Sequence, residues 1–159
     1  MKEFITAPLG DQKLTILLEG GQVTDLLFPG APLPLDARPA GSPMAREAAA
    51  QLEEYLAGRR RVFDLPLAPR GTPFQQEVWA ALCRIPYGET RSYADIAAAI
   101  GRPKACRAVG MANNRNPIPI FIPCHRVIGK KGSLVGYAGG LFLKERLLLL
   151  EQGRETAVF

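Results

Sequence analysis

The chain of 159 residues is 47% hydrophobic and 22% charged, which is typical of a globular protein with one or two small domains. No apolar run reaches the roughly 20 residues that a transmembrane helix needs, and the opening Met-Lys-Glu-Phe-Ile-Thr lacks the apolar region of a signal peptide. Three cysteines, Cys83, Cys106 and Cys124, show neither disulfide-framework nor zinc-site spacing. We therefore expect reduced thiols, a cytoplasmic location and no membrane association.

The net charge of +5 is unevenly distributed along the chain. Residues 1–70 carry eight Lys/Arg against nine Asp/Glu, whereas residues 71–159 carry twelve against six. The excess is concentrated in residues 84–131, with nine basic and two acidic side chains. Such a segment favours a polyanionic partner, although arginines dispersed over the surface would give the same total.

The first half, residues 1–70, shows the pattern of a small α/β scaffold domain without a catalytic cluster. Glu19-Gly20-Gly21-Gln22 separates two strand-like runs, which predicts a β-hairpin. A proline-rich loop and an amphipathic helix ending before Gly58 follow. In chain order we predict strands at 13–18 and 23–28, a loop at 29–43, a helix at about 44–56, an edge strand at 61–67 and a linker at 68–71.

The second half, residues 71–159, is predicted to be mostly helical. Thr72-Pro-Phe-Gln75 has the form of a capping box with proline at the first helical position, and Ser92 with Asp95 forms a second N-cap. Gly101-Arg-Pro103 joins two short helices into a helix-turn-helix. The predicted helices run over about 72–85, 93–100, 104–113 and 141–152.

The stretch Ile120–Ile128 carries the candidate chemistry. Cys124 is a potential nucleophile, and its neighbour His125 is the only histidine of the chain. Apolar flanks predict a buried strand, in which neighbouring side chains would point to opposite faces. Cooperation between the pair would require a backbone kink or a relaying water, and Pro123 favours an irregular stretch. The alternative is that Cys124 is a buried packing residue, a common role for cysteine.

Several short motifs together resemble the O6-alkylguanine-DNA alkyltransferases over residues 72–152. They occur in the family's order and spacing, and residues 1–70 are similar only in outline. The motifs are Arg107-Ala-Val-Gly110, Asn116-Pro117 followed by Ile118-Pro-Ile-Phe-Ile-Pro-Cys-His-Arg-Val127, and Gly136-Tyr-Ala-Gly-Gly140 with Lys144-Glu145.

The resemblance implies an α+β fold with two domains. Residues 1–70 would form a small ribonuclease-H-like α/β domain, which varies within the family. Residues 71–159 would form a mostly helical domain for DNA binding and alkyl transfer, with a winged-helix-like helix-turn-helix.

The resemblance also implies a reaction. The family moves an alkyl group from guanine O6 in DNA to its own cysteine, irreversibly, once per molecule and without a cofactor; O4-alkylthymine is a second candidate substrate. Cys124 would be the acceptor, and His125 would take its proton through a water while Glu151 orients the imidazole. We expect these groups to depress the pKa of the thiol. Asn116 would connect the preceding turn to the site by hydrogen bonds. The alternative interpretation of Glu151 is an ordinary solvent-exposed carboxylate at a helix end.

A base inside a duplex hides its O6, so the family flips the damaged nucleotide out of the helix. By resemblance Arg107 enters the stack, while Tyr93 crowds the 3′ phosphate and donates a proton to the leaving guanine. The expected partner is double-stranded DNA bound in the minor groove, with no obligate protein partner. The predicted DNA-binding residues are Tyr93, Lys104, Ala105, Arg107, Arg115 and Lys130, and the predicted base pocket comprises Val127, Leu134, Tyr137 and Ala138.

Two features that vary within the family, a zinc site and the acceptor cysteine, bear on the predicted function, as do two rival functions. Some relatives hold zinc in the N-terminal domain, but residues 1–70 contain neither cysteine nor histidine, so no metal is predicted. Some relatives lack the cysteine and only flag damage, whereas Cys124 is present here. A non-catalytic damage-sensing or regulatory DNA-binding protein stays the alternative; a cysteine hydrolase would need an oxyanion hole that the sequence does not indicate.

Overall fold

The structure, a computed structural model, describes residues 2–158 and has an α+β fold. A four-stranded mixed sheet with one packed helix precedes a helical region that holds a short two-stranded sheet. The elements are β1 (Lys2–Leu9), β2 (Gln12–Glu19), β3 (Gln22–Leu27), β4 (Arg38–Pro39), α1 (Pro43–Leu56), α2 (Pro73–Cys83), β5 (Arg91–Ser92), α3 (Tyr93–Ala99), α4 (Cys106–Asn114), β6 (Val127–Ile128) and α5 (Leu141–Glu151).

The four-stranded sheet has the order β3-β2-β1-β4, with β4 parallel to β1 and the other pairs antiparallel. The predicted hairpin is confirmed. Gly20 and Gly21 form its turn with φ of +60° and +77°, and a residue other than glycine would be strained at these angles. Strand β1 lies at the centre of the sheet and was not predicted. Helix α1 covers the sheet with its buried stripe, which includes Ala48, Leu52 and Tyr55.

The predicted edge strand at 61–67 is wrong. Only Leu67 forms a bridge, to Val23, and Pro66 has no N–H with which to extend a ladder. The segment is instead tied to α1 by the side chain of Gln51, which donates to Asp64 O at 3.2 Å and accepts from Asp64 N at 2.9 Å.

The helices of the second half begin where their caps predicted. Both capping boxes are present, at Thr72 for α2 and at Ser92 for α3. Helices α3 and α4 pack together as the expected helix-turn-helix, and Trp79 Nε1 on α2 donates to Ala112 O on α4 at 2.8 Å. Helix α4 begins at Cys106, two residues later than predicted, so Lys104 precedes it.

The predicted buried strand around Cys124 is also wrong. Residues Cys124–Arg126 form one turn of 3-10 helix, and only β6 pairs, in parallel, with β5. The proline residues at 117, 119 and 123 cannot donate to a ladder, and Ile120 adopts φ +73°, a strained backbone conformation for a β-branched residue. The kink that cooperation between the Cys–His pair requires is therefore present.

The two halves share one hydrophobic core. It includes Leu18 and Leu52 from the first half and Trp79, Val109 and Leu147 from the second. A backbone hydrogen bond also joins the halves: the N–H of residue 26 donates to the carbonyl of residue 117 at 2.9 Å. The division at residues 70 and 71 stays a prediction. Within the described chain, none of the helices has the length and apolar character required to cross a membrane.

Candidate active site

Cys124 lies at the start of the 3-10 turn, with its side chain almost wholly buried. Asn116 organises the loop that delivers it. The Nδ2 of Asn116 donates to Ile122 O at 2.9 Å, and its Oδ1 accepts from Ile118 N at 2.9 Å. Hydrogen bonding from Asn116 acts to lower the pKa of the Cys124 thiol. One amide side chain thus ties together both ends of the loop from Ile118 to Ile122 that precedes Cys124.

His125 is fully buried and is paired with a carboxylate from the end of α5. Its Nε2 lies 2.7 Å from Oε2 of Glu151. Arg126 grips the same carboxylate, with Nε 2.8 Å from Oε1 and a second guanidinium nitrogen 3.1 Å from Oε2. The Tyr55 hydroxyl, from α1, donates to Oε2 as well. Glu151 is therefore held by three side chains from two parts of the fold, helix α1 and the 3-10 turn.

These contacts set the protonation states of the pair. Burial favours the neutral form of Glu151, but the hydrogen bonds from His125 and Arg126 prevail and hold its pKa at about 2. Burial lowers the pKa of His125, so the imidazole is neutral at pH 7. Because the carboxylate accepts from Nε2, the proton is assigned there and Nδ1 carries the free lone pair. Nδ1 has no hydrogen-bond partner among the described residues, so it is available as a base.

The thiol itself is protonated at rest. Burial raises the pKa of Cys124 to about 11, against the opposing effects of the Asn116 hydrogen bond and the Lys144 charge. The hypothesis that the surrounding groups depress this pKa is wrong for the resting geometry, because desolvation outweighs them. A thiolate would therefore have to form as its proton leaves, and the neighbouring neutral His125 has an unpartnered Nδ1 that could accept a proton.

Lys144 is a buried cation. It belongs to one of the motifs found in the sequence, but no role was predicted for it. Its Nζ donates to Val127 O at 2.7 Å and to Val135 O at 2.8 Å. Its charge lowers the pKa of Cys124. Lys144 thus ties α5 to β6 and to the following loop, and supplies positive potential to the sulfur.

The predicted base-pocket residues lie on β6 and on the loop after it. Val127 is buried, Leu134 is half-buried and Ala138 is exposed. Tyr137 has a buried hydroxyl without a hydrogen-bond partner among the described residues. Its ring packs edge-on against Phe28 with centroids 5.6 Å apart, so the loop rests on the end of β3.

The predicted DNA-contacting residues lie on or next to α3 and α4, except Lys130, which lies in a 3-10 turn after β6. Tyr93, in the first turn of α3, packs beside Gly110, where an added Cβ would lie 3.8 Å from its ring. Burial and then the proximity of Cys124 raise the pKa of Tyr93, so its phenol stays protonated near the sulfur. The four basic residues are exposed and Ala105 is half-buried; the basic residues are Lys104, Arg107, Arg115 and Lys130.

Sequence reasoning missed the contribution of the first half to this site. Tyr55 and Phe28 reach Glu151 and Tyr137, yet each occupies an apolar position in the pattern of its own helix or strand. Arg126 is next to His125 in the sequence, but its hydrogen bonds to Glu151 could not be predicted from the sequence. Among the described residues, no cluster of three or more His, Cys, Asp or Glu could hold a metal ion.

Comparison with known sequences identifies the family. The family model described as 6-O-methylguanine DNA methyltransferase, DNA binding domain, matches residues 73–153. A methylated-DNA--protein-cysteine methyltransferase from Methanosarcina barkeri is 66% identical over 107 residues, which are 67% of this chain and 68% of that protein. The constitutive protein of the same name from Bacillus subtilis is 68% identical over 98 residues, which are 62% of this chain and 59% of its own length.

Solved structures agree over nearly the whole chain. Mycobacterium tuberculosis OGT in complex with DNA superposes with a TM-score of 0.85 at 47% identity, covering 96% of this chain and 93% of that one. The O6-methylguanine-DNA methyltransferase of Pyrococcus kodakaraensis strain KOD1 gives 0.69 at 25% identity, covering 95% and 99%. These relatives support DNA repair by alkyl transfer to a protein cysteine and do not favour the non-catalytic alternative. The chain belongs to the methylated-DNA–protein-cysteine methyltransferase family.

Proposed function

We propose that this protein repairs O6-alkylguanine in double-stranded DNA by moving the alkyl group irreversibly to the sulfur of Cys124, once per molecule. The observation that carries the proposal is the buried array at the 3-10 turn. Cys124 and His125 are adjacent there, and Nε2 of His125 lies 2.7 Å from the Glu151 carboxylate. This is the order of nucleophile, base and orienting group that covalent catalysis requires.

The proposed step transfers one proton and one alkyl group. The thiol proton moves to Nδ1 of His125 through a bridging water, and Glu151 stabilises the imidazolium that forms. The sulfur attacks the alkyl carbon as the carbon–O6 bond breaks, and Tyr93 donates a proton to the leaving guanine. The imidazolium proton then returns to Tyr93 through solvent, so both residues end neutral. The product is a thioether at Cys124. Nothing removes the alkyl group again, so each protein acts once.

The exposed face of α4 suits an approach to DNA. Arg107, Met111 and Arg115 follow one another at four-residue spacing, which places them on one side of the helix. Met111 is an exposed apolar side chain between two basic ones. This pattern is typical of proteins that bind the minor groove and insert an apolar side chain between base steps. Lys104 and Lys130 would add phosphate contacts. We infer that the helix-turn-helix is winged-helix-like and that Arg107 takes the place of the flipped base.

The pocket for that base would lie between β6 and the loop that follows. Its walls would be Val127, Leu134, Tyr137 and Ala138, and the loop's contact with Phe28 would hold it in place. The sheet order β3-β2-β1-β4, with a parallel fourth strand, supports a ribonuclease-H-like arrangement for the first 70 residues.

The experiment follows loss of O6-methylguanine from a duplex oligonucleotide at increasing ratios of protein to DNA. The proposal expects repair to stop at one lesion per protein, and to be abolished in Cys124→Ala without loss of DNA binding. Cys83→Ala and Cys106→Ala are matched controls that should repair normally. Turnover beyond one lesion per protein, or repair by Cys124→Ala, would refute the proposal.

A further inference from the structure

Tyr55 reaches the transfer site from the opposite half of the molecule. It lies in the last turn of α1, on the face that covers the N-terminal sheet, and is fully buried. Its hydroxyl donates to Oε2 of Glu151, the same oxygen that pairs with Nε2 of His125. The hydroxyl oxygen lies 3.4 Å from that Nε2. A phenol, an imidazole and a carboxylate thus meet at one oxygen atom.

The Tyr55 ring is itself held in place. It packs against Phe63 with centroids 5.2 Å apart and edge-on against Tyr87 at 6.2 Å. Burial, followed by the charge of Glu151, raises the pKa of Tyr55 well above its ordinary value. The hydroxyl therefore stays protonated, and acts as a donor, throughout the pH range in which the protein works.

We propose that Tyr55 is a positioning residue for alkyl transfer, whose hydroxyl fixes the Glu151 carboxylate and through it the orientation and basicity of His125. This inference rests on the proposed function, in which His125 takes the thiol proton. It makes the first half of the chain part of the transfer machinery and not only a scaffold. Tyr55 acts mainly through Glu151, since its hydroxyl donates to Oε2 and lies 3.4 Å from Nε2 of His125.

The physical effect is a division of the charge on Oε2 among three donors: the phenol, the imidazole and the Arg126 guanidinium. Without the phenol, Oε2 would hold the Nε2 proton more strongly, and the imidazolium would be stabilised relative to the neutral ring. The pKa of His125 would rise, so the free base would be lost at a higher pH. The carboxylate would also lose one of the contacts that fix its plane. Arg126, Lys144, Cys124, Tyr87 and Tyr137 are the other ionisable groups near the pair, and the substitution leaves them in place.

The test is Tyr55→Phe, which keeps the ring and its packing and removes only the hydroxyl. Single-turnover transfer from an O6-methylguanine duplex is measured against pH, together with DNA affinity. We expect transfer roughly tenfold slower at neutral pH, because the carboxylate loses a contact that positions it and the imidazole, and a hydrogen bond to a charged group is worth about that factor or more. We also expect the acidic limb of the rate profile to move to higher pH, with DNA affinity unchanged. Tyr87→Phe removes a hydroxyl from the same aromatic cluster and is the matched control.

A double-mutant cycle with Glu151→Gln completes the test. Because Tyr55 acts through the carboxylate, its substitution should have little further effect on the rate in the Glu151→Gln background. An unchanged rate in Tyr55→Phe, a slower rate with an unmoved acidic limb, or an additive effect in the double variant would overturn the inference. Failure of the unsubstituted protein to alkylate Cys124 would refute the proposed function instead, so the two failures are distinguishable.

Discussion

The Nε2 atom of His125 lies 2.7 Å from Oε2 of Glu151, although the two residues are 26 positions apart and lie on different elements. Both side chains are almost wholly removed from solvent. A carboxylate in this position fixes the imidazole with its proton on Nε2, which leaves Nδ1 to act as a base. Since the thiol of Cys124 is protonated at rest, we expect alkyl transfer to depend on that base.

Replacing either member of the pair should slow alkyl transfer. Loss of a positioned base costs about 10²–10⁴-fold in rate, so we expect His125→Ala to fall in that range. Glu151→Gln keeps the shape but removes the charge that stabilises the imidazolium, and should also be slower. Single-turnover kinetics on alkylated duplex measure both. Glu145→Gln, an exposed carboxylate on the same helix, is the control. Normal rates in both site variants would exclude the proton relay.

Acid should destabilise this protein partly through Glu151. Its folded pKa of about 2 lies below the ordinary value of 4.5, so its contribution is complete above pH 4.5 and is lost as the pH falls towards 2. That shift corresponds to about 3 kcal/mol in the free energy of unfolding. Denaturant unfolding at pH 7 and pH 3 should therefore show a smaller acid-induced loss for Glu151→Gln than for the unsubstituted protein. Equal losses would contradict the assignment.

Lys144→Met should impair both stability and transfer. The substitution leaves the carbonyls of Val127 and Val135 without their charged donor, which we expect to cost about 1–3 kcal/mol in unfolding free energy. It also removes a charge that lowers the pKa of Cys124, so thiolate formation becomes harder. Unfolding and single-turnover rates are measured side by side. Lys13→Met, at an exposed position of β2, should change neither; equal behaviour of the two variants would show that Lys144 has no special role.

Arg107 offers two roles that predict different data. If it only neutralises a phosphate, Arg107→Ala should weaken all DNA binding and lower the salt slope by roughly one unit. If it fills the gap left by a flipped base, the change should slow transfer from duplex DNA far more than from free O6-methylguanine, and less at a mismatched lesion. We expect the second pattern, with Lys104→Ala as the phosphate-contact control.

Substitution of Arg107 by lysine sharpens that comparison. A compact ammonium cannot stack in the gap as a planar guanidinium does, so Arg107→Lys should transfer poorly from duplex DNA. Full activity in this variant, or equal slowing on duplex and free base, would favour the phosphate role.

The helices and the hairpin could be predicted because their signals are local. Thr72 and Ser92 cap α2 and α3 with residues three positions away, and the Gly20-Gly21 turn needs only its own backbone. Strand β1 was not predicted, although it runs through Pro8 and pairs with β2 along its whole length. Its position at the centre of the sheet depends on partners distant in sequence.

Those parts of the site that consist of residues adjacent in the sequence could be predicted. Contacts between residues that are distant in the sequence could not. Cys124 and His125 are neighbours, so their association could be expected from the sequence. The 3-10 turn that presents them could not, because three prolines and the strained Ile120 override the apolar pattern of a strand. The contact of Tyr55 with Glu151 spans 96 positions, and the pattern of α1 marks Tyr55 only as a core residue.

The most direct test of the account is where the alkyl group goes. The protein is incubated with duplex DNA carrying O6-methylguanine, its intact mass is measured, and the modified peptide is sequenced by mass spectrometry. We predict one added methyl group per molecule, in place of the thiol hydrogen, on the peptide containing Cys124. Unmodified protein after repair of the DNA, or a methyl group on Cys83 or Cys106, would contradict it.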